Sequence, residues 1–149
     1  MNAINENHFS FNLFTGYSGS VKGFEIGWLV NTVINDVSGV QVSGLTNIVG
    51  GEVKGIQVGG LVNNARNHVQ ELQLSGITNI CLDSVKGVQT SGLFNLSKGT
   101  SDSVQITGFT NLSYNLNGSQ ICAGINYAKD VTGIQVSLLN LAKNVTLPN

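Results

Sequence analysis

Apolar and polar residues alternate along most of this chain. In "GVQVSGLTN", residues 39 to 47, Val40 and Val42 flank Gln41, a two-residue period that predicts a β-strand ending in a bend at Ser-Gly. The phrase returns as "GIQVGGLVN" from 55, "ELQLSGITN" from 71 and "GVQTSGLFN" from 87. Asn31, Asn47, Asn63, Asn79, Asn95 and Asn111 stand sixteen residues apart, and Asn126 follows after fifteen. Glu25, Gln41, Gln57, Gln73, Gln89 and Gln105 keep the same interval, with Gln120 and Gln135 following at fifteen. Helical repeats need about 30 residues or more per unit, so a unit this short must be a coil of strands. The pattern predicts an all-β fold, a single-stranded β-solenoid (β-helix) of about eight coils with a 16-residue period that shortens to 15.

Hydropathy assigns the faces of each strand. Val40 and Val42 are expected to point inward, with Phe24, Ile56, Leu72, Val88, Val104 and Ile134 in the first ladder. Ile26, Val58, Leu74, Ile106, Ile121 and Val136 would continue the second. Leu29, Leu45, Leu61, Ile77, Leu93, Phe109 and Leu139 form a third ladder, and Val21, Val37, Val53, Val69, Val85 and Val131 a fourth. Gly44, Gly60, Gly76, Gly92 and Gly108 mark a bend where a side chain would clash or positive φ is needed. On this assignment Val58→Lys is expected to abolish folding and Lys54→Ala to do little.

The same alternation points the glutamines outward beside small residues such as Ser43, Ser75 and Ser91, giving a flat polar strip. Gln41, Gln57, Gln73, Gln89, Gln105, Gln120 and Gln135 are therefore candidate interface residues. Trp28 and Leu138, which replace the bend glycine in the first and last full coils, join them. The asparagines Asn31, Asn47, Asn63, Asn79, Asn95, Asn111 and Asn126 are read as a structural ladder of inward amides bonding to their equivalents above and below. "NLS" at 95 and 111 matches the glycosylation sequon, which an inward Asn cannot use.

Domain organisation follows from the repeats. Residues 21–145 form the solenoid, residues 1–20 a capping segment in which Phe9, Phe11 and Leu13 alternate as a strand should, and residues 146–149 a short tail.

Charge changes the picture more than composition does. Charged residues are only 10% of the chain, and the formal net charge is −1. With no basic run there is no footprint for nucleic acid or anionic lipid, and no apolar run approaches the length of a membrane span, so membrane insertion is not expected. All charged residues except Glu6 and Glu25 fall after an Asn and before the next Gln, so one edge is charged and the rest of the perimeter is not. Soluble sheets are usually protected the other way round.

No catalytic, cofactor or metal constellation can be assembled. His8 and His68 lie far apart without a Cys or carboxylate cluster, and the glycines open no helix that would cradle phosphate. Neither enzyme activity nor a cofactor is expected. Cys81 and Cys122 fall three coils apart, beyond the reach of a disulfide at about 4.8 Å per coil, so both are expected as free thiols.

The run "ICAGINYAKDVTGIQVSLLNLAKNV", residues 121 to 145, resembles the short repeats of bacterial surface-repeat proteins first noted in leptospires, whose units read like "VxGxQxGLxNxA". The resemblance covers roughly residues 21 to 145. It implies a β-solenoid of the kind found in secreted or lipid-anchored surface proteins. The opening "MNAINENHFSFNLF" carries Glu6 where an export signal needs a basic start, so a bacterial protein that is cytoplasmic or exported by another route is expected. The leading functional expectation is a structural, self-assembling solenoid that forms a fibre or oligomer with copies of itself, through uncharged faces or through its ends. The alternative is a surface binding module, an adhesin or carbohydrate-binding protein.

Overall fold

A computed structural model describes residues 6–146 and shows a β-solenoid of about nine turns, all strands parallel and in register. The early coils each hold a long strand and a short one. β1 (Glu6–Asn12) and β2 (Thr15–Ser18) make the first, β3 (Ser20–Gly27) and β4 (Val30–Val33) the second, β5 (Val37–Ser43) and β6 (Thr46–Val49) the third. β7 (Val53–Gly59) with β8 (Val62–Ala65), and β9 (Val69–Ser75) with β10 (Thr78–Cys81), continue the stack, followed by β11 (Val85–Ser91). From there the chain runs through the former corner: β12 (Phe94–Thr107), β13 (Thr110–Cys122) and β14 (Ile125–Val136) each cover both walls, and β15 (Leu139–Thr146) closes the described chain. The pairing of β12 with β13 shifts by one residue between Ser97 and Thr100, where the interval between coils drops from 16 to 15.

Long strands stack on long strands, so that Val37 pairs Val53, Gln41 pairs Gln57 and Val42 pairs Val58. Short strands do the same, Asn47 pairing Asn63. β-Branched residues dominate both walls and favour this pleated arrangement. At the bend, Gly44 is required by space. A Cβ there would strike the carbonyl of Trp28 in the coil before, and Gly60 and Gly76 are held in the same way. Positive φ is needed elsewhere, at Gly39 and Gly55 early in the long strand.

The interior differs from the hydropathy assignment. Val21, Val37, Val53, Val69 and Val85 are buried as expected, facing Val33, Val49, Ala65 and Cys81 across the cavity between the walls. The glutamines are buried with them: Gln41, Gln57, Gln73, Gln89, Gln105 and Gln120 are all 0% exposed. Val40 and Val42 lie on the outer face, half-exposed, and Leu45, Leu61, Ile77 and Leu93 are exposed at the bend. The reason is parity. Val37 and Gln41 belong to one unbroken strand and are four residues apart, so a wall that turns Val37 inward turns Gln41 inward too and Val40 and Val42 outward.

Of the expected capping segment, the described residues form a first coil stacked on the second. β1 pairs with β3 and β2 with β4, so residues from Glu6 onward already belong to the solenoid. Phe9 and Phe11 point outward, where Phe9 stacks on Phe24, while Ser10 and Asn12 turn inward. Of the expected 146–149 tail, Thr146 belongs to β15, and 147–149 lie outside the described residues, as do residues 1–5 of the expected cap.

Candidate functional site

Two amide ladders run the length of the interior. In the first, each Gln donates from Nε2 to the Oε1 of the coil before: Gln57 to Gln41 at 3.0 Å, Gln73 to Gln57 at 2.7 Å, Gln89 to Gln73 at 2.8 Å. Gln105, Gln120 and Gln135 extend it at 2.7–2.8 Å. Its N-terminal end needs only an acceptor, and Glu25 supplies one. The fully buried carboxylate accepts Gln41 Nε2 at 2.8 Å, and Ser18 Oγ at 3.0 Å on its other oxygen. A buried charge requires such partners.

The asparagines point the other way along the axis. Asn31 Nδ2 donates to Asn47 Oδ1 at 3.1 Å, Asn47 to Asn63 at 2.9 Å, and so on to Asn126. Each Asn also donates to a long-strand carbonyl of the next coil, as Asn47 does to Val58 O at 2.7 Å, so the ladder ties the two walls together at the bend. The expected structural ladder is therefore present at every position assigned to it. It reaches one coil further than the spacing suggested: Asn126 donates to Asn140 at 3.0 Å, fourteen residues on, an interval outside the fifteen-or-sixteen rule. At the opposite end Gly16 stands in register with Asn31, whose Oδ1 is buried without a partner.

These bonds decide the fate of the candidate interface. The glutamines from Gln41 to Gln120 contribute no outer surface, and Gln135 is only partly exposed, so the strip expected from Gln41 to Gln135 is interior structure. An inward amide with a partner above and below is satisfied without water, which makes a polar interior tolerable. Trp28 and Leu138 do lie on the outside, 69% and 91% exposed.

The surface is instead apolar. A ridge follows the bend: Leu13, Phe14, Trp28, Leu45, Leu61, Ile77, Leu93, Phe109 and Leu138. On one flank stand Val40, Val42 and their equivalents, on the other Ile48, Phe94 and Tyr127. Together they line the solenoid along most of its length, and exposed apolar surface of that extent marks an interaction site. Every charged residue except buried Glu25 lies on the opposite edge, parallel to the solenoid axis. Glu6 belongs there too, since it pairs in register with Ser20 and forms a 3.2 Å ion pair with Lys22. Lys54 pairs Glu52 at 3.2 Å. Lys129 Nζ donates to Tyr114 Oη at 2.8 Å, and that bond raises the lysine's pKa.

Reactive groups are few. His68 Nδ1 lies 3.6 Å from Asp83, and no group of three metal-ligating side chains forms among the described residues. Cys81 and Cys122 are both free and buried. Burial pushes the Cys81 thiol up to about 11, far from a reactive thiolate, and its sulfur donates to Asn67 O at 2.9 Å. No helix long and apolar enough to cross a membrane occurs among the described residues.

Fold and surface define a β-solenoid with an amide-laddered interior and an apolar exterior. No family model matches the chain, and neither a curated protein nor a solved structure matches it.

Proposed function

We propose that this chain is a structural protein without chemistry of its own, a rigid solenoid that assembles with copies of itself through its apolar outer faces. The observation that carries the proposal is the continuous wall and ridge, from Phe14 and Trp28 to Leu138, with no charge placed on it to keep other sheets away. Faces are favoured over ends because the apolar surface lies along the length. The resemblance of the repeats to bacterial surface-repeat units supports a scaffold role at a surface.

Light scattering tests the proposal. The wild type is expected to form oligomers or filaments in buffer, and Leu61→Glu with Leu93→Glu, two ridge positions in alternate coils, is expected to give folded monomers by repulsion and desolvation across the contact. A wild type that stays monomeric at high concentration refutes the assembly.

A second reading, a carbohydrate-binding surface, draws on one hollow. Tyr114 and Tyr127 flank it with Leu96, Leu112 and Lys98, and exposed aromatic faces of this kind can stack on sugar rings. Calorimetric titration with oligosaccharides, repeated on Tyr127→Ala, separates it from assembly.

A further inference from the structure

We propose that the charged edge beside the Tyr114 and Tyr127 hollow binds an acidic polysaccharide, in which a sugar bearing a carboxylate or sulfate alternates with a neutral one, laid along the solenoid axis. This rests on the carbohydrate-binding reading of that hollow, and it names the class of sugar the hollow takes.

The observation is a column of cations that no stretch of the sequence displays. Ala65 pairs Cys81, Cys81 pairs Ser97, Ser97 pairs Ser113, Ser113 pairs Ala128 and Ala128 pairs Ala142. The residues that follow them are Arg66, Leu82, Lys98, Tyr114, Lys129 and Lys143, one per coil on the outer side. Four of the chain's seven Lys and Arg residues thus stand in one line. At about 4.8 Å per coil the line runs about 24 Å from Arg66 to Lys143, with Lys98 two coils from Arg66 and Lys129 two coils from Lys98.

Nothing inside the molecule neutralises this line. Among the described residues none of the four forms an ion pair, whereas Lys22 and Lys54, at the start of the long strands, pair Glu6 and Glu52 at 3.2 Å. A second copy does not supply the missing charge, because its acids are engaged as well. Asp36 accepts from Glu52 N, Asp83 from Ser84 Oγ beside His68, Asp102 from Asn117 and Asp130 from Asn144, while Glu25 is buried. That leaves Glu71 as the one described acid without a polar partner, against four cations.

Beside the cations runs an uncharged line. Leu96, Leu112 and Tyr127 stand two residues before Lys98, Tyr114 and Lys129, on the same outer face, and form the hollow with them. Lys129 Nζ lies 4.6 Å from the centroid of the Tyr114 ring and donates to its hydroxyl at 2.8 Å, so the ring is held in place before any ligand arrives. A sugar ring has an apolar C–H face and polar edges. Its face rests on Tyr and Leu, and an acidic substituent on its edge turns to the lysines. One unit of an extended sugar chain is about as long as one coil, so cations two coils apart meet a charge on every second sugar. A nucleic acid strand carries a phosphate about every 3.4 Å, about seven over the same length, and would leave most of them unpaired.

Calorimetric titration with three probes tests this. They are a hyaluronate oligosaccharide, whose uronate alternates with a neutral sugar, a neutral chitin oligosaccharide of equal length, and single-stranded oligothymidylate. Hyaluronate is expected to bind about tenfold or more tighter than the neutral chain, and to weaken as salt rises. Lys98→Gln with Lys143→Gln, two exposed positions that make no hydrogen bond or ion pair among the described residues, should remove that preference and keep the β circular-dichroism spectrum. Lys129 is left intact because it holds Tyr114. Should the double variant misfold, the salt dependence and the neutral-chain comparison of the wild type decide alone. Equal binding of the two sugars overturns the acidic assignment and leaves the carbohydrate reading standing. Binding of neither overturns both. Oligothymidylate that binds as tightly as hyaluronate, or hyaluronate binding that survives Tyr127→Ala undiminished, reveals a surface that reads charge alone and overturns the proposal.

Discussion

Gln73→Glu is the sharpest probe of the interior, because it changes charge and one donor while leaving shape alone. Gln73 is fully buried, donates to Gln57 Oε1 at 2.7 Å and accepts from Gln89 Nε2 at 2.8 Å. An ionised carboxylate there sets oxygen against oxygen toward Gln57. A protonated one restores the ladder, its O–H replacing the lost N–H. The cost at neutral pH is therefore bounded by the cost of protonation. An ordinary Glu titrates near 4.3, about 2.7 below pH 7, and at 1.36 kcal/mol per unit the penalty is up to about 3.7 kcal/mol. That is a large share of the roughly 5–15 kcal/mol that stabilises a domain. The sign follows from linkage. The introduced carboxyl titrates higher in the folded than in the unfolded chain, so the variant matches wild type below about pH 4.3 and loses stability as pH rises above it. Urea unfolding followed by circular dichroism, variant against wild type near pH 7 and near pH 4, measures this. Gln70→Glu, on the outer face of the same strand, is the control and should cost little at either pH. Equal stability of the two variants at pH 7, or a deficit that does not shrink on acidification, refutes the buried ladder.

Further outcomes follow from the same placement. Val58→Lys lies on the outer face, so it should fold with a loss of at most about 1 kcal/mol and reduce association in light scattering, whereas an inward Val58 would make it unfold. Glu25→Gln should cost about 1–2 kcal/mol in urea unfolding, because its amide oxygen still accepts from Gln41 but its N–H₂ replaces the oxygen that accepted from Ser18 Oγ and Asn12 Nδ2. Glu71 holds φ of 90° where neighbouring coils place Gly55 and Gly87, so Glu71→Gly should raise stability by about 0.5–1 kcal/mol. Cys81 keeps its proton more tightly when folded, so its contribution is full below pH 9 and lost as pH rises toward about 11. Wild type should accordingly lose about 2–3 kcal/mol more than Cys81→Ala across that interval.

Repeat length, strand class, the Asn ladder and the two free thiols were all legible in the sequence, because each depends on spacing alone. Which face of the strand is buried was not. A two-residue period divides residues into two sets and leaves the choice of inner set to hydropathy, which selects Val40 and Val42 over Gln41. Hydropathy misleads where amides repeat in register, since each then finds its partner in the next coil rather than in water. One signal in the sequence points the other way. In "VSGVQVS", residues 37–43, Val37 and Gln41 have the same parity, so the fourth valine ladder and an outward Gln column cannot coexist in one strand. The charged edge was visible as a sequence interval, but the ridge opposite it emerges only once Leu45 and Leu61 are placed outside the bend.

The opposed directions of the two ladders bear on how such a molecule can be long at all. Amides aligned head to tail add their dipoles, as peptide groups do in a helix. Here the Gln N–H groups point toward the N-terminal end and the Asn N–H groups bonding between coils point toward the C-terminal end. Each coil thus adds two dipoles of opposite sense, and the axial field does not grow with coil number. What remains is local to the ends, where the Gln ladder finishes on the carboxylate of Glu25 and the Asn ladder begins with the unpartnered oxygen of Asn31. Coils between those ends are electrostatically alike. An added coil carrying one Gln and one Asn would meet the same environment as its neighbours, so length in this fold is limited by what covers the apolar wall and not by the interior.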